Sequence, residues 1–258
     1  MNPWTYSASG LFVGLIVGLT GVGGGSLMTP LLVLAFGVSP VTAVGTDLLY
    51  ASATKTVGSA VHGWGGTVQW RIAGLLMAGS VPAALLTILA LRWLDMPEAR
   101  SGPIVSHLLG VCLVLTALTI VFRHRILLLA GSGRTEAPPR MQAALTVVTG
   151  AVLGVLVTCS SVGAGAIGVT ALILLYPRIP IAAVVGTDIV HAVPLTLVAG
   201  LAHAAGGTVD GSVLFWLLLG SVPGIVAGSL LAPRADERLL RSVLAAVLTV
   251  VGGRLVLV

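Results

Sequence analysis

Long apolar runs separated by short polar punctuation dominate the chain. They cover residues 11–36, 41–62, 71–91, 104–122, 141–175, 181–203, 212–232 and 239–258. Each reaches about 18 residues or more, enough for a helix to cross ~30 Å of hydrocarbon. The pattern predicts an all-α integral membrane protein with no room for a separate soluble domain. The most polar stretch, "RHRILLLAGSGRTEAPPR" at 123–140, falls between two halves. The opening "MNPWTYSASG" has no positively charged segment, and the run after it exceeds a signal-peptide core. The first segment is therefore expected to remain in the mature protein.

The two halves repeat each other at an offset of 141 residues. Val44-Gly45-Thr46-Asp47 aligns with Val185-Gly186-Thr187-Asp188, and His62 with His203. Gly65-Gly66-Thr67-Val68 aligns with Gly206-Gly207-Thr208-Val209, and Gly79-Ser80-Val81-Pro82 with Gly220-Ser221-Val222-Pro223. From Val44 to Pro82, 16 of 39 positions are identical. Chance in so biased a composition would give roughly four. We read residues 1–125 as a first transmembrane repeat, 126–140 as a cytoplasmic linker and 141–258 as a second repeat.

Each repeat opens with an unusual segment. In the first, Gly21, Gly23, Gly24 and Gly25 interrupt the apolar run, with Ser26 and Pro30 following. One glycine costs about 1 kcal/mol in a helix interior, so four in five positions predict unwinding. The second repeat carries Gly163 and Gly165 beside Thr158, Cys159, Ser160 and Ser161. Paired glycine-interrupted segments point to a transporter's binding site. Packing small residues closely between helices is the competing reading.

Arginine placement bears on topology. If both broken segments span fully, the 12 arginines divide six inside and six outside. If each turns back on itself, nine lie inside and only Arg92, Arg100 and Arg254 outside. The positive-inside rule prefers the second arrangement, which makes the repeats inverted, each with one glycine-broken or re-entrant helix plus about three transmembrane helices. It also explains the net charge of +5 without any nucleic-acid partner.

Hydrophobic residues make up 57% of the chain and charged residues only 8%. A soluble domain carries about 25% charged residues, so this chain cannot cover a water-facing surface. Cys112 and Cys159 lack metal or disulfide spacing, and no cofactor motif stands out.

The few buried polar residues are then informative. Asp47 and Asp188 interrupt apolar helices, either capping backbone or carrying a coupled proton. Thr46 and Thr187 beside them suit a cap or a lined site equally. His191 follows Asp188 by three residues, which suggests a coupled pair on one helix face. His62 and His203 fit the membrane interface or a proton relay. Lys55, the single lysine, lies two turns beyond Asp47, about 12 Å along the axis and too far for a direct pair. A lone cation there is either snorkelling and paired structurally or facing an anion. Unwound backbone at Gly23, Gly24, Gly25, Gly163 and Gly165 offers N–H donors at half-helix starts. Ser26, Ser160 and Ser161 add hydroxyls, and together these groups suit a small anionic substrate.

The break "GLTGVGGGSLMTPLL", followed by "VSPVTAVGTDLL" and then "H-x-x-GGTV", resembles the TauE/SafE family of sulfite and organosulfur anion exporters. In the second half "SSVGAG" replaces "TGVGGG", and Ile181 stands where Pro40 does. The resemblance implies seven or eight spans built as a duplicated unit in the cell (inner) membrane. It also implies secondary transport of sulfite, a sulfonate or a small carboxylate, driven by a proton or ion gradient. An anion channel is the alternative class. No enzyme motif is present, the partners implied are the anion and the lipid bilayer, and homo-oligomerisation is left open.

Overall fold

The computed structural model describes residues 2–20, 25–64, 68–93, 98–122, 125, 128, 138–231 and 237–257. Ten helices make up the described fold, with no strand among the described residues. The first half holds α1 (Pro3–Thr20), α2 (Gly25–Leu34), α3 (Pro40–Trp64), α4 (Trp70–Trp93) and α5 (Glu98–Val121). The second holds α6 (Pro139–Ser160), α7 (Ala166–Leu175), α8 (Ile181–Ala205), α9 (Gly211–Leu231) and α10 (Glu237–Leu257). Several starts coincide with proline, whose fixed φ suits a first turn: Pro3, Pro40 and Pro139 open their helices and Pro180 immediately precedes α8.

Five helices are long and apolar enough to cross a membrane, within 70–93, 102–121, 139–160, 181–205 and 211–228. Their outer faces carry exposed leucine, valine and phenylalanine, such as Leu86, Val152 and Phe215. Such a continuous apolar surface is stable only against lipid. The chain is a multi-pass membrane protein. The 25-residue α3 is more polar, carrying Asp47, Lys55 and several threonines, and it can be so because much of it faces protein. Residues 43–48, 50–52, 54 and 55 are all buried.

The first apolar run begins earlier than its hydropathy suggests. Its opening ten residues were expected to precede the membrane segment, yet α1 starts at Pro3. The reason is packing. Ser7 Oγ donates to the Trp216 carbonyl at 2.9 Å, and Trp4 packs against Trp216 at 5.8 Å. Small residues then let α1 and α9 run in close contact. A methyl on Gly10, Gly14, Gly220, Gly224 or Gly228 would lie 1.9–2.6 Å from a carbonyl oxygen of the other helix. Gly10 meets Leu217 and Gly14 meets Ser221, so the two helices run parallel. The same contact joins α4 to α6, where Gly79 meets Val147, Gly150 meets Leu76 and Gly154 meets Ser80. This small-residue geometry is the usual way membrane helices approach.

Both interrupted segments return to the end at which they started. Tyr6, near the start of α1, stacks on Phe36 beyond the end of α2, with ring centroids 4.6 Å apart. Gln142 Nε2, near the start of α6, donates to the Leu175 carbonyl at the end of α7 at 2.7 Å, and Thr146 Oγ1 lies 2.8 Å from the Tyr176 hydroxyl. Between these outer pairs, α3 and α8 cross the middle in opposite directions: Gly45 faces His203 and Thr208, whereas Gly200 faces Leu49. Their contact, with Ala84 and Val157 from α4 and α6, forms a buried apolar cluster beside the polar centre.

Candidate functional site

The second break is well described. At its start, Ser161 closes α6 in the left-handed conformation with φ 57°. Gly163 and Gly165 follow at φ 124° and 128°, where a side chain is strained. Gly165 is the N-cap of α7, and its side-chain-free cap leaves the first N–H groups open to other partners. The first break at Gly21, Gly23 and Gly24 lies outside the described residues, as do the side chains of Gly25 and His62. Ser26 is buried in the first turn of α2.

Each buried acid faces the returning helix of its own half. The Thr29 hydroxyl in α2 donates to Asp47 Oδ2, and the Thr29 backbone N–H is also directed at that carboxylate. Asp188 receives the Gly165 backbone N–H, and its Oδ1 lies so close to Gly168 that a methyl there would sit 2.2 Å away. Asp47 is 0% exposed and Asp188 1%. Their remaining oxygens, Asp47 Oδ1 and Asp188 Oδ1, are buried with no hydrogen-bond partner. Ser161 lies beside Asp47, but its Oγ and Asp47 Oδ1 remain outside good hydrogen-bond geometry.

Lys55 lies between the halves. Its Nζ donates to the Ala164 carbonyl, inside the second break, at 3.3 Å. Asp188 is the acid that acts on it most strongly, followed by Asp47. The sequence reading found no acid partner for Lys55 because it considered only α3. The nearer acid comes from α8, 133 positions later, and no local signal announces it.

The other predicted residues take distinct positions. His191 does not pair with Asp188, as their spacing suggested. Its Nε2 lies 2.9 Å from Ser80 Oγ of α4, and its Nδ1 is buried without a partner. The corresponding position in the first half is Tyr50, whose hydroxyl donates to Ser221 Oγ at 2.8 Å. Helix rotation explains the difference: Asp188 faces α7 while His191, almost a full turn on, faces α4. Thr46 Oγ1 accepts from the Asp210 backbone N–H at 3.0 Å, and Thr187 Oγ1 from that of Gln69 at 2.9 Å. Both hydroxyls thus hold the starts of the following helices. Ser160 Oγ donates to the Leu156 carbonyl and accepts from Val162 N–H, which satisfies the end of α6 locally.

Access is one-sided. A cavity of about 420 Å³ is lined by Thr42, Arg92, Cys159, His203 and Thr208, among apolar neighbours. Cys159 is at the far end of α6 from the linker, so the cavity opens at the end opposite the linker. It reaches the residue next to Ser160 and hence the edge of the second break. Sequence reasoning missed Arg92 as a lining residue, having used it only to mark topology. Its Nη2 donates to the Ala202 carbonyl at 3.1 Å. At the linker end, Gln69, Tyr176, Ile179 and Thr187 close around a crevice with no room for water. Among the described residues no cluster of His, Cys, Asp or Glu has the makings of a metal site.

A helical bundle with lipid-facing walls and a buried acid–lysine centre is the architecture of a multi-pass membrane protein. The chain matches the family described as "Sulfite exporter TauE/SafE" over residues 6–255, and it belongs to that family of membrane transporters. It is 40% identical over 248 residues to the "Probable membrane transporter protein YjnA" of Bacillus subtilis (strain 168), covering 96% of this chain and 97% of that one. A "Probable membrane transporter protein" of Xylella fastidiosa (strain 9a5c) is 28% identical over 250 residues, covering 91% and 87% respectively. "YdhB" of Bacillus subtilis (strain 168), with the same description, is 26% identical over 217 residues, or 84% of this chain and 85% of that one. No solved structure matches the chain.

Proposed function

We propose that the chain is a secondary-active exporter of a small sulfur-containing anion such as sulfite or an organosulfonate. It works in the cell (inner) membrane and is coupled to a proton gradient. The observation that carries this reading is the one-sided access to a buried polar centre. A channel needs a continuous path, whereas a carrier exposes its site at one end while the other is sealed. Here the cavity at Cys159 and His203 is open, and the crevice at Gln69 and Thr187 is closed.

The architecture fits two inverted repeats, 1–125 and 141–258. The parallel pair α1–α9 has its counterpart in α4–α6, and the helices equivalent under the 141-residue offset, α3 and α8, are antiparallel. That is the relation an axis in the membrane plane produces. With the linker inside, the open cavity faces outward.

The anion belongs near the second break, where Lys55, Ser161 and the start of α7 converge on the two acids. An ionised acid facing the start of a helix occupies the position an anion would take. Protonating it frees that position and removes a like charge, which couples anion to proton. Reconstituted protein loaded with sulfite, taurine-like sulfonates or small carboxylates should show saturable counterflow with the sulfur anions. Flux that grows linearly with concentration, without counterflow, would make the protein a channel. Counterflow confined to carboxylates would overturn the substrate class.

A further inference from the structure

Secondary transporters commonly hold a coupling sodium ion with backbone carbonyls exposed by a broken helix and with nearby acids. The elements of such a site are present at the second break. The Ala164 carbonyl lies between two glycines in the left-handed φ range, and the orphaned Asp188 Oδ1 and Asp47 Oδ1 supply acceptors from the two halves. Ser161 Oγ, also buried and unpartnered, adds a fourth oxygen. Buried carboxylate oxygens without donors call for a cation or a proton.

The ammonium of Lys55 stands at this place, only 8% exposed and held by the Ala164 carbonyl. The position equivalent to Lys55 in the second half is Thr196, whose hydroxyl is satisfied by the Ala192 carbonyl of its own helix. The duplicated framework therefore carries this charge once. We infer that Lys55 is a tethered cation that takes the place of a coupling metal ion between the two acids, so that this transporter works without sodium.

The inference deepens the transport reading, since it identifies what couples. It is tested without any transported anion, so the two fail separately. Thermal unfolding of the purified full-length protein is measured in sodium chloride and in choline chloride at equal ionic strength. The wild type is expected to respond identically to both salts. Lys55→Met removes the ammonium while keeping the stem, and opens the oxygens to an added ion. Its unfolding temperature should rise with the logarithm of sodium concentration, as for a ligand that binds only the folded state. Stabilisation of the wild type by sodium over choline overturns the proposal. So does a folded Lys55→Met protein that ignores sodium. If Lys55→Met does not fold, Lys55→Met with Asp188→Asn is made, which removes the nearer acid together with its cation. Recovery of folding supports the assignment, and a double variant that still fails overturns it.

Discussion

Thr187 Oγ1 accepts a hydrogen bond at 2.9 Å from the backbone N–H of Gln69, which stands 118 positions earlier. Thr46 and Asp210 make the reciprocal contact at 3.0 Å, and each residue of one pair lies 141 positions from a residue of the other. In both, a threonine beside a buried acid fixes the residue just before a membrane helix. The acid's position is thereby tied to the start of a helix in the opposite half.

Thr187→Val keeps the volume but removes the acceptor. The Gln69 N–H, partly buried at the closed end, is then left unpaired at a cost of about 1–3 kcal/mol. Thr46→Val should cost a similar amount. Unfolding of both variants in detergent, compared with the wild type, checks this. Wild-type stability in both would show that water replaces the threonines.

The parallel helix pairs predict a sharper contrast. A methyl on Gly220 would lie 1.9 Å from the Ser7 carbonyl oxygen and one on Gly79 2.0 Å from that of Val147, whereas nothing lies within 4 Å at Gly74. Gly220→Ala and Gly79→Ala should destabilise by roughly 1–3 kcal/mol through overpacking. Gly74→Ala, in the same helix as Gly79, should be neutral or stabilising, because alanine is the better helix former. Folded yield and thermal stability read the difference. Equal behaviour at Gly74 and Gly79 would contradict the close α4–α6 approach.

Some of this was readable along the chain, and the rest depends on helices far apart in sequence. The apolar runs identified the membrane helices, because length and hydropathy are local properties. The glycines at 163 and 165 announced the second break for the same reason. The start of α1 was missed, since Ser7 and Gly10 look polar or weak until α9 lies against them. Three-residue spacing joined His191 to Asp188, yet the neighbours of those side chains are Ser80 on α4 and Gly165 at the start of α7. The Lys55 contact to Ala164 spans 109 positions. No periodicity within α3 discloses it.

Topology provides an independent check. Tyr6 on Phe36 and Gln142 on Leu175 bring each interrupted segment back to its own starting end. The linker and the end of α10 then fall on opposite sides. Reporter fusions within Gly131–Gly133 and after Val258 should report a cytoplasmic linker and a C-terminus across the membrane. Both reporters on one side would restore parallel repeats.

The acids give the most demanding prediction. Each faces the start of the returning helix in its own half: Asp47 meets Thr29 of α2, and Asp188 meets Gly165 at the cap of α7. In its ionised form such an acid is favoured by the positive end of the helix and repels an incoming anion. Protonation reverses both effects, so wild-type anion affinity should rise as pH falls. Asn at either position mimics the protonated acid, because it is neutral and fills the same space. Asp188→Asn should therefore bind the anion tightly at all pH values. It should lose uptake driven by a pH gradient while keeping anion–anion exchange. Asp47→Asn should behave similarly, with Thr29 donating to the amide oxygen. Binding at several pH values and the two transport modes are measured on folded, reconstituted variants. Wild-type pH dependence in both single variants and in the double variant would assign these acids to holding the helix starts and leave the proton to another group.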